Sequence, residues 1–227
     1  MDVAELIYIV VDCDRWPTYR NTSELSRLEK LAREAYGRNT FDGYLSYVLM
    51  MHQVSEDYVL ILLKHAQLAL AVSLALQGFG WKLNATLTGD KLDGQMFGRL
   101  LDLLDNSTEF DGKERLIRVC REMNQTRNRL AHRLVSGIEL QELASLATEF
   151  QAKCRELIDL FNNADEEFSY FYSIVIHETN WDRIINTNIE SAAGASNGEE
   201  VLRWESARER LHQGRTESKI KNYPNNE

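Results

Sequence analysis

Only two prolines, Pro17 and Pro224, occur in the 227 residues of the chain, and both lie near its ends. Proline stops helices more firmly than any other residue, because its ring removes an N–H donor and collides with the preceding turn. Nothing of that kind interrupts the stretch from about residue 20 to residue 220, which predicts an all-α fold: an up-and-down helical bundle with a long C-terminal helix. A composition of 44% hydrophobic and 27% charged residues suits one soluble globular domain with appendages and excludes a disordered or fibrous chain.

The periodicity divides the chain into an N-terminal segment over 1–20, a helical bundle over 21–178, and a polar linker, short helix and flexible tail over 179–227. In the first segment "LIYIVV" is β-branched and would pass for a strand, yet Asp2 and Glu5 have capping-box spacing and no partner strand is visible, so it is read as helix. Capping residues at Asn21–Ser23 and leucines at 25, 28 and 31 predict a helix over 23–36, stopped by Gly37. Thr40 is expected to cap a second helix and Ser55 a third, which is apolar almost all round up to Gly78 and should be the most buried of the bundle. Residues 78–94 read as a long loop rich in Gly, Thr, Asn and Asp. Short and longer helices follow over 95–106 and 113–134, and Ser136 with Glu139 reads as a capping box opening the last long helix.

That last helix repeats Leu143, Ala147, Phe150, Cys154, Leu157, Phe161, Ala164, Phe168, Phe171 and Val175 at alternating spacings of four and three. Such a seam wants a partner helix, either within the bundle or on a second subunit. "NNAD", residues 162–165, is a candidate break in it. Cys13, Cys120 and Cys154 are far apart without a C-x-x-C pair and read as free thiols, two of them buried, in a reducing compartment. The apolar run near the N-terminus is too short for a bilayer, and no later segment approaches ~18 uninterrupted apolar residues. A cytoplasmic protein without membrane contact is therefore expected. The formal net charge of −9 disfavours whole-surface attraction to nucleic acid, so any polyanion must meet a local basic patch.

The helix over 113–134 carries such a patch. Lys113, Arg115, Arg118, Arg121, Arg127, Arg129 and Arg133 are opposed there only by Glu114 and Glu122; the bland alternative is a solvated face neutralised by acidic neighbours. Leu116, Val119, Met123, Leu130 and Leu134 form the apolar arc, with Arg121, Asn124, Asn128 and His132 on the opposite side. Arg127 falls at the edge of the arc, where a partly desolvated guanidinium requires a carboxylate or phosphate. Glu56 or Asp57 could supply the carboxylate.

The run "RNRLAH", Arg127–His132, has the form R-N-x-x-x-H near the end of a bundle helix and resembles the signature of the HEPN superfamily (higher eukaryotes and prokaryotes nucleotide-binding domain). Upstream Asn124 and the following "RLVSG" are similar to that family too, and the resemblance covers roughly residues 40–165. It implies a helical bundle that dimerises across its motif helices and cleaves single-stranded RNA without metal or cofactor, as a toxin or antiviral defence effector. By the same resemblance His132 is the general acid or base, Arg127 the phosphate clamp and Asn128 the group that orients them. Arg121, Asn124, Arg129 and Arg133 would contact RNA, and an antitoxin or regulatory protein is a possible partner. The residue types suit the chemistry: attack by a 2′-OH needs proton transfer near neutral pH and a cation on the phosphate.

Five residues separate Arg127 from His132 by about 140° on a straight helix, so one undistorted helix cannot aim both at one atom. Either the helix is distorted there, or motifs from two subunits face one substrate. One departure stands out: some members place a tyrosine two residues after the histidine as a modified group, and here Leu134 occupies that position. The remaining histidines lack metal-ligand spacing; His65 reads as a core or boundary residue, and His52, His177 and His212 as surface. P-loop, dinucleotide, nucleophile-elbow and zinc patterns are missing. Trp81, in the long loop, is either a base-stacking residue or a packed anchor. The competing class of function is a noncatalytic helical dimer of the same type that binds a partner protein or a nucleotide.

Overall fold

The computed structural model describes residues 17–76, 92, 94–178 and 180–221, and over these the chain is all-α, with no strand among the described residues. The elements are α1 (Pro17–Gly37), α2 (Phe41–Leu76), α3 (Phe97–Ser107), α4 (Lys113–Ser136), α5 (Leu140–Glu178), α6 (Trp181–Gly194) and α7 (Gly198–Lys221). The N-terminal "LIYIVV" and nearly all of the 78–94 loop, with Trp81, lie outside the described residues.

Several helix boundaries differ from the sequence expectation, each for a local reason. α1 begins at Pro17 and not near residue 23, because proline is tolerated in the first turn, where its missing N–H has no acceptor anyway. Asn21–Ser23 therefore lie inside the helix. Thr40 does cap α2, its Oγ1 accepting from Gly43 N at 3.2 Å. Ser55 caps nothing: α2 runs unbroken through it, and its hydroxyl donates back to the His52 carbonyl at 2.6 Å, the usual outlet for a mid-helix serine. The Ser136–Glu139 box is not formed either. Ser136 closes α4 with its hydroxyl on the His132 carbonyl, Gly137 turns the chain at φ +86°, and the Glu139 carbonyl accepts from Leu143 N at 3.0 Å. Residues 162–165 do not break α5.

Paired side chains fix the directions of the bundle helices. α1 runs against α2, since Tyr36 meets Tyr44 and Tyr47 while Glu29 accepts a short hydrogen bond from Tyr58. α4 runs against α5, with Arg115 on Glu156 and Arg133 on Glu142. α2 and α5 run side by side in the same sense: Tyr47 packs edge-on to Phe150, and Tyr58 stacks on Phe161. The four long helices thus alternate in direction along the chain, with short α3 interposed. α2 is the central helix, burying Val48, Met51, Val54, Val59, Leu62 and Leu63 among others, as its all-round apolar pattern requires.

The α5 seam is occupied inside this bundle. Leu143, Ala147, Phe150, Cys154, Leu157, Phe161 and Ala164 are buried, and Phe168 packs partly buried against the same core; the side chains of Phe171 and Val175 are outside the described set. Cys120 and Cys154 are free and buried. Gly43 lets α1 and α2 meet at their corner, for a Cβ there would come within 2.3 Å of the Ala35 carbonyl oxygen.

Arg20–Leu68 and Ala85–Ser169 make up this compact unit, and a second unit contains the C-terminal helices. Over the described part of residues 179–227, the expected short helix lies within α7, which runs on to Lys221, while much of the stretch expected as linker belongs to α6. Asn180 caps α6 through Arg183 N at 3.0 Å, and Asn197 caps α7 through Glu200 N at 3.3 Å. Trp181, Ile185, Trp204, Ala207 and Leu211 on these two helices are buried, and "SAAGASNG" is a helix end and a tight turn. Among the described residues no helix is long and apolar enough to cross a membrane.

Candidate functional site

α4 is regular α-helix from Lys113 to Ser136, so the Arg127–His132 run contains no distortion that would turn both side chains to one side. Its buried face is Leu116, Ile117, Val119, Cys120, Met123, Thr126 and Leu130. The apolar arc stops one turn sooner than expected: Leu134 is 37% exposed and Val135 91%, and Leu140 at the start of α5 is 48% exposed. The motif end of α4 thus presents an apolar rim to solvent beside its polar residues.

The basic patch divides in two. Lys113 Nζ closes the end of α3, donating to the Asp105 and Thr108 carbonyls and to Glu109. Arg115 pairs with Glu156 at 2.5 Å and Arg133 with Glu142 at 3.4 Å. Arg121, expected to be available for RNA, lies 3.3 Å from both Asp102 and Asp105 of α3. Acidic residues of neighbouring helices and of the α3–α4 loop neutralise these four, as the bland reading of a charge run anticipates. Arg118, Arg127 and Arg129 are exposed without a carboxylate at ion-pair distance among the described residues; Arg129 donates instead to Thr126 Oγ1 at 3.3 Å.

At the motif itself, Arg127 donates to Asn128 Oδ1 at 3.1 Å. Asn128 and His132 are exposed, and no hydrogen bond or ion pair from a described residue engages the His132 imidazole. Asn124 departs from its expected place on the solvent side: it is half-buried and meets His52 Nε2 through Oδ1 at 3.2 Å. His52, read from the sequence as a surface residue, is buried on α2, edge-on to Phe97. Its Nδ1 lies 3.7 Å from Glu56 Oε1, one turn along the same helix.

This small polar group shapes the electrostatics behind the motif. Burial pushes the His52 pKa down, with Asn124 opposing and Arg127 reinforcing the shift. Burial pushes the Glu56 carboxyl up, and the Arg127 guanidinium pulls it back down. Of the two carboxylates offered for Arg127, Glu56 is therefore the one that feels it; Asp57 faces Gln53, Lys64 and Glu24. His52 and Glu56 are the residues that sequence reasoning undervalued. Their i, i+4 spacing on a helix that is apolar all round was the available signal.

His65 is buried as expected, stacked on Phe168 and 3.4 Å from Asp165 Oδ1. His212 is on the surface near Asp182, and the His177 side chain lies outside the described set. Among the described residues no cluster of His, Cys, Asp and Glu could hold a metal ion. A cavity of about 270 Å³ opens between α1, α2 and α5, with Arg33, Tyr47, Met51 and Arg155 in its walls, and no motif residue lines it. The chain matches no protein-family model, no curated protein and no solved structure.

Proposed function

We propose that the protein is a HEPN-type endoribonuclease that cleaves single-stranded RNA without a metal ion, acting as a homodimer in toxin or antiviral defence. The observation that carries this reading is the state of the motif side chains. On a helix whose other cations are largely paired, Arg127, Asn128 and His132 remain exposed and free of carboxylates, with Arg127 and Asn128 already joined. A guanidinium left in this state is ready to receive a phosphate, and an exposed imidazole is within reach of a substrate's hydroxyl and leaving oxygen.

The reaction assigned to these groups is attack of a 2′-OH on the adjacent phosphorus. His132 takes the hydroxyl proton or supplies one to the departing 5′-oxygen, and Arg127 neutralises charge building on the phosphate. Because α4 is regular, about 140° separates the two side chains on one helix. The proposal therefore draws Arg127 and His132 of one site from two facing subunits, with Leu134, Val135 and Leu140 supplying apolar area at the junction.

The test is incubation of single-stranded RNA with the purified full chain in EDTA. Wild type cleaves, and His132→Ala loses cleavage while keeping the dimer. Cleavage that survives the substitution, or that needs a divalent ion, refutes the assignment. Mixing Arg127→Ala with His132→Ala subunits restores part of the activity when the site is shared; no rescue after subunit exchange contradicts sharing.

A further inference from the structure

The cavity of about 270 Å³ between α1, α2 and α5 lies apart from the α4 motif, none of whose residues lines it. Helical spacing surrounds it with two kinds of side chain. Tyr47 and Met51, one turn apart on α2, and Cys154 and Ile158, one turn apart on α5, give it an apolar interior. Tyr47, Met51 and Cys154 are at most 4% exposed, and Ile158 packs partly buried against the core. Arg33 of α1 and Arg155 of α5 also line the cavity, and both are exposed, so the cations belong to its rim and not to its floor.

The two arginines are in different states. Arg33 donates to one Glu29 oxygen at 2.7 Å, one turn back on α1, and the other Glu29 oxygen accepts a short hydrogen bond from the buried Tyr58. The charge of Arg33 is thus matched, and its direction is set by a carboxylate that is itself anchored to α2. Arg155 has no carboxylate at ion-pair distance among the described residues. Glu29, Arg33 and Arg155 together leave one positive charge in excess above an apolar recess.

We propose that this cavity binds a small aromatic monocarboxylate, its ring lodged among Tyr47, Met51, Cys154 and Ile158 and its carboxylate held by Arg155 and Arg33. The inference is independent of the ribonuclease reading. Four properties select this class of ligand. One cation in excess matches a monoanion, whereas a dianionic phosphate would bring surplus negative charge close to Glu29. The guanidinium fork suits the paired oxygens of a carboxylate. A volume just below the ~300–1,000 Å³ of sites for drug-sized ligands fits a single ring and not a nucleotide. The Met51 thioether and the Tyr47 ring favour a flat π face over a branched alkyl chain. Arg33 is already restrained by Glu29 and the interior by the core, so binding orders little beyond Arg155.

The test titrates the full chain with benzoate and follows both ligand and protein by NMR. Benzoate is expected to bind saturably at a single site and to shift the Met51 methyl resonance, assigned by its loss in Met51→Leu. Benzamide, the neutral counterpart, should bind at least about 10-fold more weakly. Arg155→Gln, at an exposed position, should weaken benzoate about 10-fold or more with the thermal midpoint unchanged. Arg118→Gln removes an exposed arginine of α4 outside the cavity and should leave benzoate binding as it was. Failure to saturate, an unmoved Met51 methyl, equal binding of benzamide, or an Arg155→Gln affinity equal to wild type overturns the inference. An equal loss in Arg118→Gln does so too, by showing diffuse attraction to positive charge. Displacement of benzoate by an equal concentration of inorganic phosphate or adenosine monophosphate refutes the monocarboxylate assignment. No RNA is cleaved in this assay, so none of these results bears on the ribonuclease reading.

Discussion

RNA affinity should depend on salt as three arginines per subunit dictate, not seven cations. Each phosphate neutralised on a single strand contributes a slope of about −0.7 to log K against log salt. Arg118, Arg127 and Arg129 are exposed without carboxylates, whereas Lys113, Arg115, Arg121 and Arg133 are engaged by Glu109, Glu156, the Asp102–Asp105 pair and Glu142. The free set gives a slope of about −2 per subunit and about −4 for a dimer gripping one strand; all seven would give about −5 and −10. The assay is fluorescence anisotropy of labelled single-stranded RNA between 50 and 300 mM salt (about a sixfold range), in the His132→Ala background so that the RNA survives. Arg129→Ala should flatten the slope by about 0.7 per subunit, and Arg121→Ala should leave it unchanged, because a phosphate would first have to displace two carboxylates. An Arg121→Ala effect equal to that of Arg129→Ala refutes the partition of the patch.

The α5 seam yields a stability prediction: Phe150 is completely buried and packs edge-on against Tyr47 at 6.4 Å, so Phe150→Ala should cost about 3–5 kcal/mol, measured by urea unfolding. A loss below about 1 kcal/mol would point to a seam closed by another subunit. Gly43→Ala should destabilise by about 1–3 kcal/mol, because its Cβ would press on a backbone oxygen of Ala35; an unchanged melting midpoint contradicts the tight corner. A pH prediction follows from His52, whose lowered pKa means the folded chain binds that proton less well than the unfolded one. Stability should therefore decline as pH falls below about 6.5, and His52→Gln should flatten that decline. Glu56 and Asp57, with raised values, work oppositely and at lower pH, their ionisation costing stability as pH rises through them.

What the sequence disclosed follows the strength of its periodic signals. The apolar pattern on every side from Glu56 marked the central helix over its described side chains, although that helix begins at Phe41, and the four–three seam from Leu143 marked α5 through Ala164. Single capping residues were weaker guides. Ser55 and Ser136 have the chemistry of caps, but a serine inside a helix is equally satisfied by a carbonyl three or four residues back, and packing of the long helices decided between the two. Of the C-terminal pair only part of α7 was legible; α6 was hidden because Trp181 and Ile185 are isolated apolar residues in a polar run, and their burial depends on packing that local pattern does not show. At the site, Asn128 and His132 could be read from their spacing as exposed, whereas Arg127, expected at the edge of the apolar arc and partly desolvated, is exposed as well. The neutralisation of Arg121 and Arg133 could not be read, because Asp102, Asp105 and Glu142 reach them only through helix pairing. His52 escaped for the same reason, since its partner Asn124 lies on another helix.

The chemistry assigned to His132 and Arg127 is tested most directly by the products formed in EDTA from two single-stranded oligonucleotides of one sequence, one RNA and one 2′-deoxy throughout. The wild-type chain should convert the RNA to fragments ending in 2′,3′-cyclic phosphate, leave the deoxy strand whole, and lose the reaction in His132→Ala. Intact RNA, scission of the deoxy strand, or undiminished cleavage by His132→Ala would contradict it.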